Sequence, residues 1–379
     1  MKLKIGIMLP KSDMYPTLAM DFLNGLKLAL KKHIPFTMKF KYIIENIGHA
    51  ADDLPLKTAE KLLLQENVDV TISFCSIFRL KELVTLFDGY KKPLIHIDLG
   101  ANILKKEHYS PYVLHHTLNL WQSAYTTGVY AANKIGKKAV FASSFYDGGY
   151  QHTYALAKAF ENEGGTILKY YVAPSDYKNE TFDSLIDTIN TLEPDVIFTL
   201  FSYNEGKKVF NALANSKING AIPILAFPAM TDETINTEDY NIENVQSIAS
   251  WAFDAPLENT KTFLKKYNKK YKEVPNVFSL MGYEVGITLA NCISPKGKVN
   301  ANFTEQLHLK KIMTPRGAIQ YNELNESEPE NFKLRTFQFN KTEYQNILIE
   351  TIEPSSLDEL NKEFSNINYT GWQNPYLCT

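Results

Sequence analysis

The feature that most limits how this chain can fold is an alternation of strand-like and helix-like stretches that completes one cycle and then starts again. "LKIGIML" (3–9) is apolar and strand-length, and "TLAMDFLNGLKLALKKH" (17–33) sets Leu18, Phe22, Leu23, Leu26 and Leu30 on one helical face. "MKFKYII" (38–44) reads as a strand, "AEKLLLQEN" as a helix, "VDVTISF" as a strand, "RLKELVTLFDGY" as a helix and "KPLIHID" as a strand. Strands bridged by helices need right-handed crossovers, which give a parallel, doubly wound sheet. From "WQSAYTTGVYAANKIG" the cycle restarts, through "KAVFAS" (138–143), a helix closed by glycine in "YQHTYALAKAFENEGG", and on to "DVIFTLF", "NEGKKVFNALANS" and "IPILAF". The result is two βα sets of similar size, near 1–118 and 119–250.

The remainder breaks the rhythm. "TKTFLKKYNKKYKEVPNVFSLMGYEVGITLANCI" reads as two helices joined at Val274-Pro275, and "GAIQY", "KLRTFQFN" and "NILIETI" as short β segments. The tail "NINYTGWQNPYLCT" has no periodicity; its Trp372 and the apolar residues near Cys378 are expected to pack on one of the two sets.

Composition removes several function classes. The 379 residues suit two domains, and the 44 % hydrophobic content supplies their cores. A net charge of −2 without a dense Lys/Arg run gives no nucleic-acid surface; the basic, aromatic "KKYNKKYK" (265–272) is most simply the solvated face of a helix. No run reaches the ~20 apolar residues of a membrane span. "MKLKIGIMLP" lacks the pattern of a signal peptide, so the expectation is a cytoplasmic protein or an exported one whose leader is gone. Cys75, Cys292 and Cys378 are odd in number and far apart, giving neither a disulfide framework nor metal spacing. With no GxGxxG after the first strand, no P-loop, no HExxH and no CxxC, neither a cofactor nor a metal is expected.

In order along the chain, a first strand ending in Pro, "VDVTISFCS", "KPLIHIDLGAN", "KKAVFASSFYDGGYQ", "EPDVIFTLFSY", "IPILAFPA", "FLKKYNKKYKEVPNVFSLMGYEVG" and "TPRGAIQYN" resemble the type I periplasmic solute-binding proteins, in the leucine- and amide-binding branch. The helix–Pro–helix step "YKEVPN" and the turn-plus-strand "TPRGAIQYN" carry most of that likeness. It implies an α/β fold of two doubly wound, Rossmann-like parallel-sheet lobes, joined by three crossing segments near 118–120, 250–253 and 325–330. Residues 1–118 with 252–327 would form one lobe and 119–251 with 328–352 the other, and the placement of 353–379 stays open. A ligand would lie in the cleft between the lobes, which would close on it by a hinge motion. Open α/β sheets bind ligands outside the carboxyl ends of their strands.

The candidate site residues lie at those strand ends. Cys75 stands where a helix start lowers a thiol pKa, but no hydrolase signature surrounds it and no G-x-S-x-G occurs elsewhere. Ser76 adds a hydroxyl to the free N–H groups of that helix start, which suits a carboxylate or amide oxygen, or else it is a plain N-cap. The resemblance places a carboxylate-binding Ser at Ser76, small residues at Gly100, and a hydroxyl where this chain has Asn102. His96 and Asp98 depart from the family pattern; either they serve the site or they pair with each other. In the second set, Tyr150 matches the family's ligand-stacking tyrosine and Tyr203 its closing aromatic, with Tyr146 and Phe227 nearby. A free amino acid needs an acidic partner for its ammonium group, and "AFPAM" (226–230) has none. Asp147 or Asp98 substitutes for it, or else the ligand lacks an ammonium group.

The leading expectation is a monomeric, non-enzymatic protein that captures a small-molecule ligand (amino acid, amide, or aromatic or apolar carboxylate) and delivers it to an ABC transporter permease. The alternatives are a cytoplasmic ligand sensor of the same fold and an enzyme using Cys75 or His96.

Overall fold

The computed structural model describes residues 2–35, 37–300, 303–364 and 368–378, apart from the side chains of Tyr203, Asp358 and Glu359. The chain forms two compact units. Unit 1 holds Met1–Asn119, Pro256–Glu330 and Gln373–Thr379; unit 2 holds Leu120–Ala255 and Asn331–Trp372.

The first passage through unit 1 runs β1 (Lys2–Leu9), α1 (Leu18–His33), β2 (Lys39–Asn46), α2 (Leu54–Leu64), β3 (Val70–Phe74), α3 (Ile77–Tyr90), β4 (Leu94–Asp98) and β5 (Val113–Thr117). These strands form one sheet in the order β2-β1-β3-β4-β5, every pair parallel. Every residue of β3, β4 and β5 is buried, as parallel strands covered on both faces must be. That burial explains the β-branched, apolar and small residues of "VTISF".

The chain then enters unit 2 through α4 (Leu120–Lys134), β6 (Lys138–Ser143), α5 (Gln151–Asn162), β7 (Thr166–Val172), α6 (Asp183–Leu192), β8 (Val196–Leu200), α7 (Tyr203–Ala214), β9 (Ile224–Ala226) and β10 (Val245–Ala249). It returns to unit 1 as α8 (Glu258–Tyr271), α9 (Val277–Cys292), α10 (Phe303–His308) and a small antiparallel sheet of β11 (Ile312–Thr314), β12 (Gly317–Tyr321) and β13 (Ser327–Pro329). Unit 2 is completed by β14 (Phe332–Phe339), β15 (Tyr344–Ile352) and α11 (Asp358–Phe364). Its sheet has the order β15-β14-β10-β9-β8-β6-β7. The pairs from β7 to β10 are parallel, whereas β14 and β15 pair antiparallel, so this sheet is mixed.

The unit boundaries fall a few residues later than the sequence suggests. Residues 252–255 fall in unit 2, next to Trp251, over whose ring the Arg335 guanidinium lies at 5.1 Å while donating to its carbonyl at 3.3 Å. Residues 328–330 stay with unit 1 because β13 pairs with β12.

In unit 1, α1 and α9 pack at glycines. A Cβ on Gly25 would lie 2.0 Å from the Ser279 carbonyl oxygen, and one on Gly282 would lie 2.0 Å from that of Phe22. Pro275 cannot continue a helix, and Asn276 behind it caps α9, its Oδ1 accepting from the amides of Phe278 and Ser279 at 3.1 and 3.0 Å. The "TPRG" turn buries Arg316, which pairs with Glu284 at 2.9 Å and donates to the Thr117 carbonyl at 2.8 Å and Asn119 Oδ1 at 3.1 Å. Glu284 also holds His116 at 3.1 Å. Burial alone would raise the Glu284 pKa; Arg316 and His116 more than offset it and keep the carboxylate below its usual range. The turn thus anchors the end of β5, where the chain leaves unit 1.

Candidate functional site

In unit 1 the carboxyl ends of β3 and β4 carry the polar groups. Ser76 leaves the strand with φ −64° and ψ 145°, caps α3 by accepting from the Phe78 amide at 3.2 Å, and donates its own amide to the Ala50 carbonyl at 3.0 Å. The cap uses only an oxygen lone pair, which leaves the hydroxyl proton to give. Cys75 is buried beside it. Burial first, then the charges of Asp98 and Glu82, pushes its thiol pKa well up. A protonated, enclosed thiol is a packing group and a poor nucleophile.

His96 and Asp98 do not pair with each other. Strand register sets His96 opposite His115 on β5, and their Nδ1 atoms lie 3.0 Å apart. His96 Nε2 faces the Cys75 carbonyl oxygen at 3.4 Å, and His115 Nε2 faces that of His108 at 2.9 Å. Burial is the first cause that drives the pKa of His96 well down and that of His115 to about 4. Asp98 turns onto its own chain, accepting from the Gly100 amide at 2.6 Å, with Gly100 at φ +78°. Burial pushes Asp98 up to about 6, against the lowering effect of the Gly100 and Ala101 amides. Asn102 is half-buried on the same loop.

In unit 2 the corresponding strand ends are aromatic. Tyr150 is buried, and its hydroxyl meets that of Tyr146 at 2.7 Å. Phe227 comes just after β9, with its ring edge-on to His152 at 4.4 Å. Tyr203 opens α7, but its side chain lies outside the described residues.

Asp147 is tied both to its own turn and to the residue two beyond the end of β8. Its Oδ2 accepts from the Ser144 hydroxyl at 2.6 Å and from the Ser202 amide and hydroxyl at 2.8 and 3.0 Å. An ammonium partner needs lone pairs that this carboxylate oxygen already gives to Ser144 and Ser202. Sequence reasoning missed Glu205, which completes an S-x-x-E pattern with Ser202. Because the Ser202 hydroxyl turns to Asp147, no capping box forms. Burial first, then Asp147 and Glu180, pushes Glu205 up to about 8.

The tail also reaches these strand ends. In unit 2, Trp372 stacks on Tyr146 with centroids 5.7 Å apart and donates its indole N–H to the Tyr146 carbonyl at 2.6 Å. Phe145 lies at 5.5 Å from the same ring. The indole sits on bare backbone, since a Cβ on Gly149 would lie 2.2 Å from Trp372 Nε1. In unit 1, Gln373 and Asn374 border Asp52, Asp53 and the first turn of α3, and Pro375, Tyr376, Leu377 and Cys378 are buried. His49 Nδ1 lies 3.0 Å from the Cys378 carbonyl oxygen. The Cys378 thiol is pushed far up by burial and next by the nearby charge of Asp98.

Among the described residues no helix is long and apolar enough to cross a membrane, and no group of three or more His, Cys, Asp or Glu is placed to hold a metal ion.

Comparison with known proteins places these features. Residues 2–327 match the family model described as periplasmic binding protein. The fold is similar to that of an ABC transporter substrate-binding protein from Sphaerobacter thermophilus, with TM-score 0.81 and 18% identity over 93% of this chain and 98% of that one. A Rhodopseudomonas palustris ABC transporter solute-binding protein in complex with benzoate is similar at TM-score 0.74 and 20% identity, over 94% and 98% of the two chains. LivJ of Streptococcus pneumoniae, a branched-chain amino acid transporter substrate-binding protein in complex with isoleucine, is similar at TM-score 0.69 and 16% identity, over 92% and 99%. No curated protein matches the sequence.

Proposed function

This chain belongs to the periplasmic binding protein family, and on that premise we propose that it binds a small organic solute with the strand ends of its two units and delivers it to an ABC importer. The family match over residues 2–327 carries this reading. Unit 1 contributes the hydroxyl of Ser76, with Gly100 and Asn102 on the next loop. Unit 2 contributes the rings of Tyr146, Tyr150, Tyr203 and Phe227. No bond in the solute is made or broken; capture is the function. Delivery to an importer places the protein outside the cytoplasmic membrane, which fractionation of cells making the full protein tests.

The ligand class follows from charge. Residues 226–230 offer no carboxylate, and Asp147 is bonded to Ser144 and Ser202. A solute without an ammonium group, an aromatic or apolar carboxylate or amide, therefore fits better than a free amino acid. Benzoate in the Rhodopseudomonas palustris neighbour supports this choice, and isoleucine in LivJ supplies the competing one.

Thermal shift and calorimetry with benzoate, 4-hydroxybenzoate and isoleucine test the reading. A bound solute at 100 times its Kd adds about 2.7 kcal/mol of stability. A shift with isoleucine alone overturns the ligand class. No shift with any solute in a broad panel of acids, amides and amino acids overturns the function.

A further inference from the structure

We propose that the C-terminal segment Trp372–Cys378 is a resident occupant of both half-sites, a built-in competitor that a solute must displace. The inference rests on the reading of the strand ends as the solute site.

Two separate observations support it. In unit 2, Trp372 stacks flat on Tyr146, hydrogen-bonds its carbonyl and fills the space over Gly149. An aromatic ring on that platform is what the proposed solute would also supply. In unit 1, Cys378 lies against His49 and within the influence of Asp98. His49 belongs to the loop after β2, whose Ala50 carbonyl receives the Ser76 amide. Asp98 closes β4. The segment thus lies at the ends of β2, β3 and β4, where a solute would meet Ser76. Tyr376, Leu377 and Cys378 are 1, 2 and 0 % exposed, so they are enclosed, whereas a surface tail would remain hydrated.

Residues 368–378 belong to none of the three sheets, so they can leave without breaking a strand ladder. A solute that binds only when the tail is out sees its intrinsic Kd divided by the open fraction. A tail seated nine-tenths of the time weakens solute binding about tenfold.

The test compares the full chain with one ending at Ser356, using the broad panel of acids, amides and amino acids, benzoate, 4-hydroxybenzoate and isoleucine among them, as probes in calorimetry. A synthetic peptide of residues 368–378 is added in trans. The expected result is probe binding to the shortened chain about tenfold tighter or more, reversed by the peptide. Equal affinity in both chains overturns the tail's role and leaves the solute reading standing. Peptide binding to the shortened chain with no probe bound upholds the occupancy and removes the solute reading. A folded shortened chain that binds neither overturns both. If the shortened chain does not fold by circular dichroism, the full-length double variant Trp372→Ala, Tyr376→Ala replaces it under the same criteria.

Discussion

The strand ends of unit 1 and of unit 2 are built from opposite materials. Unit 1 presents imidazoles, a capping hydroxyl and a carboxylate folded onto its own backbone, all enclosed. Unit 2 presents rings, and the buried carboxylate after β6, Asp147, is held by hydrogen bonds from Ser144 and Ser202. The same βα arithmetic yields mainly polar strand ends in one unit and mainly aromatic ones in the other. The difference arises from the residues at and beyond each strand end: His and Asp near the end of β4, Tyr and Gly after β6. The proposed solute, an aromatic or apolar carboxylate or amide, has a polar end and an apolar body.

The contrast can be broken at several points. The largest effect is expected from Arg316→Met. It strands Glu284 and His116 in the interior of unit 1, and removing one partner of a buried pair costs about 3–5 kcal/mol. Urea unfolding should show this loss, and amide exchange should show it first in α9 and β5; a change confined to unit 2 would contradict the anchoring role of the "TPRG" turn. Next comes pH. The histidines near β4 and β5 are neutral in the fold, with His115 at about 4 and His108 at about 3. Their folded pKa values lie below the usual 6.5, so the unfolded chain takes up protons first as pH falls. The stability they contribute is full above pH 6.5 and declines below it, until the folded values are reached. For His115 alone the loss by pH 4 is about 3 kcal/mol. Unit 2 has a single histidine, His152, at about 3. Hydrogen exchange at pH 7 and pH 4 should therefore show β3–β5 losing more protection than β6 and β8; equal losses would dissolve the contrast.

Smaller effects sharpen it. Asp147→Ala leaves the Ser144 hydroxyl and the Ser202 amide and hydroxyl without their acceptor, at a cost of about 2 kcal/mol, read as a lower denaturation midpoint. It should leave any preference for carboxylates over amino acids unchanged; a lost amino-acid affinity in the variant would show that Asp147 does meet an ammonium group. Ser76→Ala is the mildest for folding, about 1 kcal/mol for the lost cap, yet solute affinity measured by calorimetry should fall at least about tenfold. Unchanged affinity would reduce Ser76 to a plain cap.

What was legible in the sequence was what periodicity encodes. The buried strand "VTISF" and the face of α1 with Leu18, Phe22 and Leu26 lie where their spacing puts them. The step at Pro275 works as a break and then a cap. The less legible features depend on partners far away along the chain. His96 looks toward His115, 19 residues on, a relation set by strand register, while Asp98, two residues from it, binds its own loop. Gly25 and Gly282 make one helix contact from opposite ends of the chain. Residues 368–378 form no helix or strand, so only their aromatic content hinted at a packing role. The Ser202–Glu205 spacing reads as a capping box, but the hydroxyl found a better acceptor in Asp147.

The contact between His96 and His115 carries a count of its own. Three hydrogen bonds run along this pair: His96 Nε2 to the Cys75 carbonyl, Nδ1 to Nδ1, and His115 Nε2 to the His108 carbonyl. Each needs one proton, and two neutral imidazoles bring only two. One link must go unfilled, and the longest, 3.4 Å to Cys75, is the one whose geometry yields. His115 then keeps its proton on Nε2, His96 keeps its own on Nδ1, and a bare nitrogen lone pair is left beside the Cys75–Ser76 turn. The proton count and the longer Cys75 contact together set the two rings in opposite tautomers.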